Sequence, residues 1–198
     1  MQLTDLPSLN TRWDARYPTE DPKVWERPSA FLVECMPLFS GGRALDVACG
    51  PARNAVFLAK RGYTVDGVDN SREGLLMARE FIGRRNAPVN LPVNLIFADL
   101  TSYAVRPGSY DLIINFYYLD RALMPSLVEG IKPGGYLVFE SFTTDNRRFA
   151  PLKDPAHYLA PNELLTLIGT MRVLSYYEGT AIEAGMARSV ARVVARKG

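Results

Sequence analysis

Three aspartates, Asp46, Asp69 and Asp99, each close a short apolar run in the first half of the chain. The loop that begins at the first of them reads Asp46-Val47-Ala48-Cys49-Gly50-Pro51-Ala52. Small residues at 48, 50 and 52 let the backbone approach a ligand closely, the part glycines play in nucleotide-binding turns. Asp69 follows Gly50 by 19 residues, near the ~20 at which an acid reaches ribose hydroxyls. A dinucleotide site shares that spacing but requires G-x-G-x-x-G, and this loop keeps only Gly50. Asp46 adds a negative charge that would repel a pyrophosphate and suits an ammonium or a sulfonium. The pattern therefore predicts a cationic ligand in preference to a phosphorylated one.

The rest of the inventory narrows the chemistry further. His157 is the one histidine, and it lies in a loop-like stretch with no nucleophile motif beside it. A Ser-His-Asp or Cys-His machine would have to use it, since histidine is the most frequent general base. Cys35 and Cys49 do not have zinc spacing, so no metal is expected. The reaction is expected to lean on an organic cofactor.

These residues need elements to hold them, and the chain alternates short apolar runs with longer amphipathic ones. That is the pattern of a parallel sheet with crossover helices. Strands are predicted over Arg43–Ala48, Tyr63–Asp69, Val93–Ala98, Tyr110–Phe116 and Tyr136–Phe142. Val173–Tyr177 and Ser189–Val194 add two more; Arg188, Arg192 and Arg196 repeat every four residues, which a helix also allows, but the valines favour strand. Helices are predicted over Ser29–Met36, from Ala55 to Lys60, after an Asn70/Glu73 capping box, over Arg121–Ile131 and over Pro161–Ile168. Residues 1–28 form a partly irregular lead-in, and 143–160 a loop long enough to be functional.

With 198 residues, 47% of them hydrophobic and 22% charged, the chain is read as a single domain with a large core. A net charge of +2 excludes a coat for nucleic acid or anionic membrane. No apolar signal core or membrane span is evident, and two cysteines suit a reducing compartment, so a cytoplasmic location is expected. Oligomeric state is not readable.

The runs LDVACGPARNAVFLAKRGYTVDGVD, FADL, YDLIINF and KPGGYLVFESF resemble class I S-adenosylmethionine-dependent methyltransferases. GPARN, RGYTVDGVD and the closing VVARK are most similar to the tellurite-resistance and thiopurine methyltransferase branch, over residues 13 to 197. The resemblance implies a doubly wound α/β fold with a seven-stranded, mostly parallel sheet and an antiparallel last strand. It implies that the backbone at Ala48 and Gly50 cradles the methionine part of S-adenosylmethionine, with Asp46 near its ammonium. Asp69 would take the ribose hydroxyls, and Asp99 the adenine amino group, with Leu100 and Asn70 beside the ring. Arg53 or Arg16 would meet the cofactor carboxylate, Trp13 and Tyr17 would cover it, as Trp25 would, and Asn115 would stand nearby. Ala48 and Ala52 depart from the family by replacing two loop glycines, which sets the loop slightly farther from the ligand.

Methyl transfer from a sulfonium expels a neutral thioether, so no oxyanion needs stabilising and alignment supplies most of the acceleration. A histidine-poor chain suits that reaction, above all with an ionised acceptor: a thiolate, a chalcogen oxyanion or another anion. Acceptor-side candidates are Tyr117, Tyr118, Arg121, Arg147 and Arg148, the arginines as charge-assisted donors to an anion. Arg147 and Arg148 read equally as a solvated loop face. Asn115-Phe116-Tyr117-Tyr118 lacks both prolines of the Asn-Pro-Pro-Tyr motif of amino-methylating enzymes, which argues against nucleic-acid or protein substrates. Tellurite enzymes carry a His-Arg pair before the final strand, where this chain reads Glu178-Gly179-Thr180-Ala181-Ile182-Glu183. The alternatives are an S-adenosylmethionine-binding protein without catalysis and a nicotinamide-dependent oxidoreductase.

Overall fold

The computed structural model of the chain describes residues 7–19, 21, 25–83, 91–151, 154–183 and 185–198. Parts of the predicted lead-in and of the 143–160 loop lie outside the described residues. The strands are β1 (Gly42–Val47), β2 (Tyr63–Asp69), β3 (Val93–Phe97), β4 (Tyr110–Phe116), β5 (Ile131–Phe142), β6 (Arg172–Glu183) and β7 (Met186–Arg196). The helices are α1 (Thr11–Arg16), α2 (Ala30–Cys35), α3 (Arg53–Ala59), α4 (Arg72–Gly83), α5 (Met124–Gly130) and α6 (Glu163–Leu167). The strands make a seven-stranded sheet in the order β3-β2-β1-β4-β5-β7-β6. Pairs β1/β2, β2/β3 and β4/β5 run parallel, and β7 runs antiparallel to both of its neighbours, as the family resemblance implies.

The chain clusters into two compact units, residues 1–103 and 104–198. In the first, β1 from Ala44 to Val47 and β2 apart from Thr64 are buried, as strands covered on both faces must be. Leu32, Leu45, Leu58, Tyr63 and Leu75 fill its core, each aliphatic chain contributing about 1.5–3 kcal/mol. The second unit packs Leu112, Ile113, Ile114, Met124, Leu127 and Phe139 in the same way.

Several boundaries differ from the sequence reading, each for a local reason. Ser71, not Asn70, caps α4, since its hydroxyl accepts from Gly74 N at 3.0 Å. α5 starts at Met124 because Asp120 Oδ1 first takes the amides of Ala122 and Leu123 in a turn, at 2.9 and 3.4 Å. β5 begins five residues early and bulges: Tyr110 pairs with Ile131 but Leu112 with Tyr136. Gly134 at φ 79° makes that bulge possible. β6 and β7 run on as a long hairpin from Arg172↔Arg196 to Glu183↔Met186. Along β7, Arg188, Arg192 and Arg196 share one face, and their guanidiniums lie over Tyr117, Tyr177 and Tyr136 at 5.7, 5.5 and 5.8 Å. Among the described residues no helix is long and apolar enough to cross a membrane.

Candidate cofactor site and acceptor-side cluster

In the first unit, β1 delivers Asp46 into a fully enclosed position, 2% exposed. Burial pushes its carboxyl up to about 7, against the opposing pull of the Ala55 N–H and the Arg53 charge. Its Oδ2 has no hydrogen-bond partner among the described residues. A buried carboxylate oxygen left open in this way calls for a donor that the described residues do not supply. Beyond Val47 the backbone turns left-handed three times, at Ala48 (φ 54°), Gly50 (φ 51°) and Ala52 (φ 62°). The alanines thus keep a glycine-like path at a cost of about 1–3 kcal/mol apiece.

Asp69, at the end of β2, ties that loop down. Its Oδ2 accepts from Gly50 N at 2.7 Å and its Oδ1 from Ser71 N at 2.7 Å. Burial raises its pKa, the backbone amides opposing. With the Asn70 amide as a third backbone donor, one lone pair is left for another donor. Asn70, next in sequence, accepts from Asn10 Nδ2 at 3.1 Å. Asp99 is exposed and bonded to the Thr101 amide and hydroxyl at 3.0 and 2.8 Å, which hold its pKa down. Leu100 beside it is buried.

The lead-in closes over the same loop. Asp14 Oδ1 accepts from Ser71 Oγ at 2.6 Å and Glu73 N at 3.0 Å, fastening α1 to the start of α4. Tyr17 is wedged between glycines: a Cβ at Gly50 would meet its hydroxyl at 2.5 Å, and one at Gly74 its ring at 2.9 Å. Trp13 stacks on Tyr17 at 5.2 Å and Trp25 meets it edge-on at 5.2 Å, while Arg16 covers Trp13 at 4.6 Å. Arg53 Nη1 donates to Arg27 O at 3.3 Å. The Asp46 oxygen, unpartnered among the described residues, the left-handed loop and the remaining Asp69 lone pair fit an aminoacyl nucleoside such as S-adenosylmethionine.

Asn115 and the acceptor-side candidates belong to the second unit. Asn115 is buried at the end of β4, its Oδ1 without a partner among the described residues. Tyr117 follows it at φ 62° and its hydroxyl meets Glu140 Oε1 at 2.6 Å and Glu183 Oε2 at 2.5 Å. Tyr118 reaches Asp120 at 3.5 Å. Arg121 is engaged structurally, bonded to Glu163 at 2.5 and 2.9 Å and to the carbonyls of Ala156 and Tyr158 at 2.6 and 3.1 Å. Arg147 and Arg148 are exposed beside Asp145, at 3.9 and 3.4 Å. Sequence reasoning passed over Glu140, Glu183, Arg188 and Arg192. The available signal was Glu140, a carboxylate inside the apolar run YLVFESF, where charge is buried only if paired.

Residues 44–135 match the family described as "Methyltransferase domain". A trans-aconitate 2-methyltransferase of Delftia acidovorans is 31% identical over 133 residues, 63% of this chain and 46% of the relative. A probable S-adenosyl-L-methionine-dependent methyltransferase TehB of Haemophilus influenzae is 26% identical over 156 residues, 74% of this chain and 52% of the relative. The chain thus spans about half the length of the curated relatives it matches. The crystal structure of TehB from Haemophilus influenzae superposes with a TM-score of 0.71 at 21% identity, covering 94% of this chain and 66% of that one. The matched methyltransferase domain, these relatives and the shared fold make the chain similar to S-adenosylmethionine-dependent methyltransferases, TehB among them.

Proposed function

We propose that residues 1–198 act as one methyltransferase domain that transfers the methyl group of S-adenosylmethionine to a small molecule attacking as an anion. The observation that carries this reading is the buried Oδ2 of Asp46, unpartnered among the described residues, beside a loop held left-handed by three residues. Asp46 would receive the cofactor ammonium, the backbone at Ala48 and Gly50 would lie along its methionine part, and Asp69 would hold the ribose. Asn70, Asp99 and Leu100 would serve the adenine, Arg53 or Arg16 the carboxylate, with Trp13 and Tyr17 as cover and Asn115 nearby. Bound S-adenosylmethionine supplies an activated methyl group whose transfer leaves a neutral thioether. The chain's own part is to align the acceptor in line and exclude water. A small acceptor is supported by the relatives, which include a trans-aconitate 2-methyltransferase and a ubiquinone biosynthesis O-methyltransferase.

Two experiments test the reading. Calorimetry with S-adenosylhomocysteine is expected to show binding that Asp69→Ala weakens at least about tenfold, the loss of one charge-assisted hydrogen bond or more; undiminished affinity would remove Asp69 from the site. Labelled S-adenosylmethionine, offered with thiols, selenite, tellurite, phenols and aromatic acids, is expected to label at least one small molecule. Transfer only to RNA or protein would replace this reading, and binding without transfer to anything would favour a sensor.

A further inference from the structure

Phe116 pairs with Glu140 across β4 and β5, so in a regular strand Tyr117 would point to the opposite face. Its left-handed backbone brings the phenol to Glu140 instead. For a bulky residue that conformation is strained, and strain of this sort collects at functional positions. Three oxygens then stand in a row: Glu140 Oε1, Tyr117 Oη and Glu183 Oε2, separated by 2.6 and 2.5 Å. One phenolic proton satisfies only one of these contacts, so the other requires a proton on a carboxyl group. Glu140 is the sealed end, its side chain 3% exposed, whereas Glu183 is 22% exposed. Burial raises the Glu140 carboxyl. The Tyr117 hydroxyl thus bridges Glu140 at the sealed end and Glu183 at the open end.

From β7, Arg192 faces Glu140 at 2.9 Å and Arg188 faces Glu183 at 3.7 Å. Phe142 stacks on Tyr117 at 4.8 Å, with Tyr158 at 6.2 Å from Phe142. Resting on the methyl-transfer reading, we propose that Glu183, oriented by Tyr117 and Glu140, takes the proton of a hydroxylated aromatic acceptor. The acceptor O–H bond breaks and its proton passes to a Glu183 oxygen. The freed oxygen pair forms the new O–CH3 bond, while the S–CH3 electron pair stays on sulfur; the proton then leaves to solvent. A thiol or chalcogen acid ionises by itself near neutrality and would be repelled by Glu183. A phenol keeps its proton until about pH 10, so it is the acceptor that needs a carboxylate.

The test uses catechol as hydroxyl probe and thiophenol as thiolate probe, on wild type, Glu183→Gln and Tyr117→Phe. In Glu183→Gln the ratio of kcat/KM for catechol to that for thiophenol is expected to fall about 100-fold, the scale of a lost general base, with the catechol pH profile displaced upward. S-adenosylhomocysteine affinity and the melting curve report separately on cofactor binding and folding. Equal losses on both probes would mean a structural role and overturn the inference. So would a wild type that methylates thiophenol and not catechol, though methyl transfer itself would stand. A wild type that methylates neither probe overturns the inference as well, and one that also fails to bind S-adenosylhomocysteine takes the proposed function with it. Ultraviolet difference titration of wild type against Tyr117→Phe needs no acceptor: Tyr117 is expected to stay un-ionised where ordinary tyrosines titrate, and in Glu183→Gln to ionise earlier. Ionisation of Tyr117 together with the ordinary tyrosines would refute the proton-sharing chain.

Discussion

At the residue scale, Asp46 links the candidate site to pH. Its carboxyl titrates near 7 in the free protein, and an ammonium partner would demand the ionised form. S-adenosylhomocysteine affinity is therefore expected to be level just above neutrality and to drop about tenfold per pH unit well below it, with roughly one proton released on binding at pH 6. Calorimetry in two buffers of different ionisation enthalpy reads that proton directly. For the unliganded fold the sign reverses. The native state holds a proton between the unfolded value of 3.8 and 7 that the unfolded chain has lost, so stability declines as pH rises through that window. Asp69, also raised by burial, acts in the same direction. Asp46→Asn is expected to weaken S-adenosylhomocysteine about 10- to 100-fold and to flatten the pH dependence.

The alanines of the loop make a second residue-scale case. Ala48→Gly relieves about 1–2 kcal/mol of left-handed strain against about 0.5–1 kcal/mol of added unfolded-chain entropy. A modest rise in the urea midpoint is expected. Ala52 is fully buried, and its Ala→Gly change also forfeits about 0.8 kcal/mol of methyl burial, so no gain is expected there. A midpoint lowered by Ala48→Gly would show that the methyl group packs usefully.

At the scale of elements, close approaches matter more than composition. Gly74 lies on the inner face of α4, where a helix ordinarily prefers alanine. Here a methyl would press on the Tyr17 ring at 2.9 Å. Gly74→Ala is expected to lower stability despite the better helix propensity and to raise Tyr17 exposure, seen as increased quenching of aromatic fluorescence. In the second unit, Lys197 Nζ donates to the carbonyls of Val128, Glu129 and Ile131 at 2.9, 3.0 and 2.8 Å. That places a cation on the carbonyl end of α5. Lys197→Met keeps the stem and removes the donors, and is expected to cost about 1–3 kcal/mol in denaturant titration.

At the scale of the whole molecule, a ligand that binds only the native state adds stability by mass action. S-adenosylhomocysteine at 100 times its Kd contributes about 2.7 kcal/mol, a rise in Tm of roughly 5–10 °C for a chain of this size. NADH at the same concentration is expected to leave Tm unchanged, because the loop lacks the glycines for a pyrophosphate. A shift with NADH and none with S-adenosylhomocysteine would reverse the choice of ligand.

The sequence by itself determined the strand-and-helix rhythm, the β2 and β4 limits, and the Asp46 loop, because these are local. Side-chain periodicity and turn chemistry act over a few residues, and a loop of small residues after a buried strand announces a close approach. What only the tertiary structure decided lies at long range. The bulge in β5 depends on Gly134 meeting Lys197 O at 2.9 Å. The engagement of Arg121 depends on Glu163, 42 residues on. The row of Glu140, Tyr117 and Glu183 joins oxygens up to 66 residues apart. No spacing rule reaches that far: which buried charges meet is fixed by strand register and by one left-handed turn.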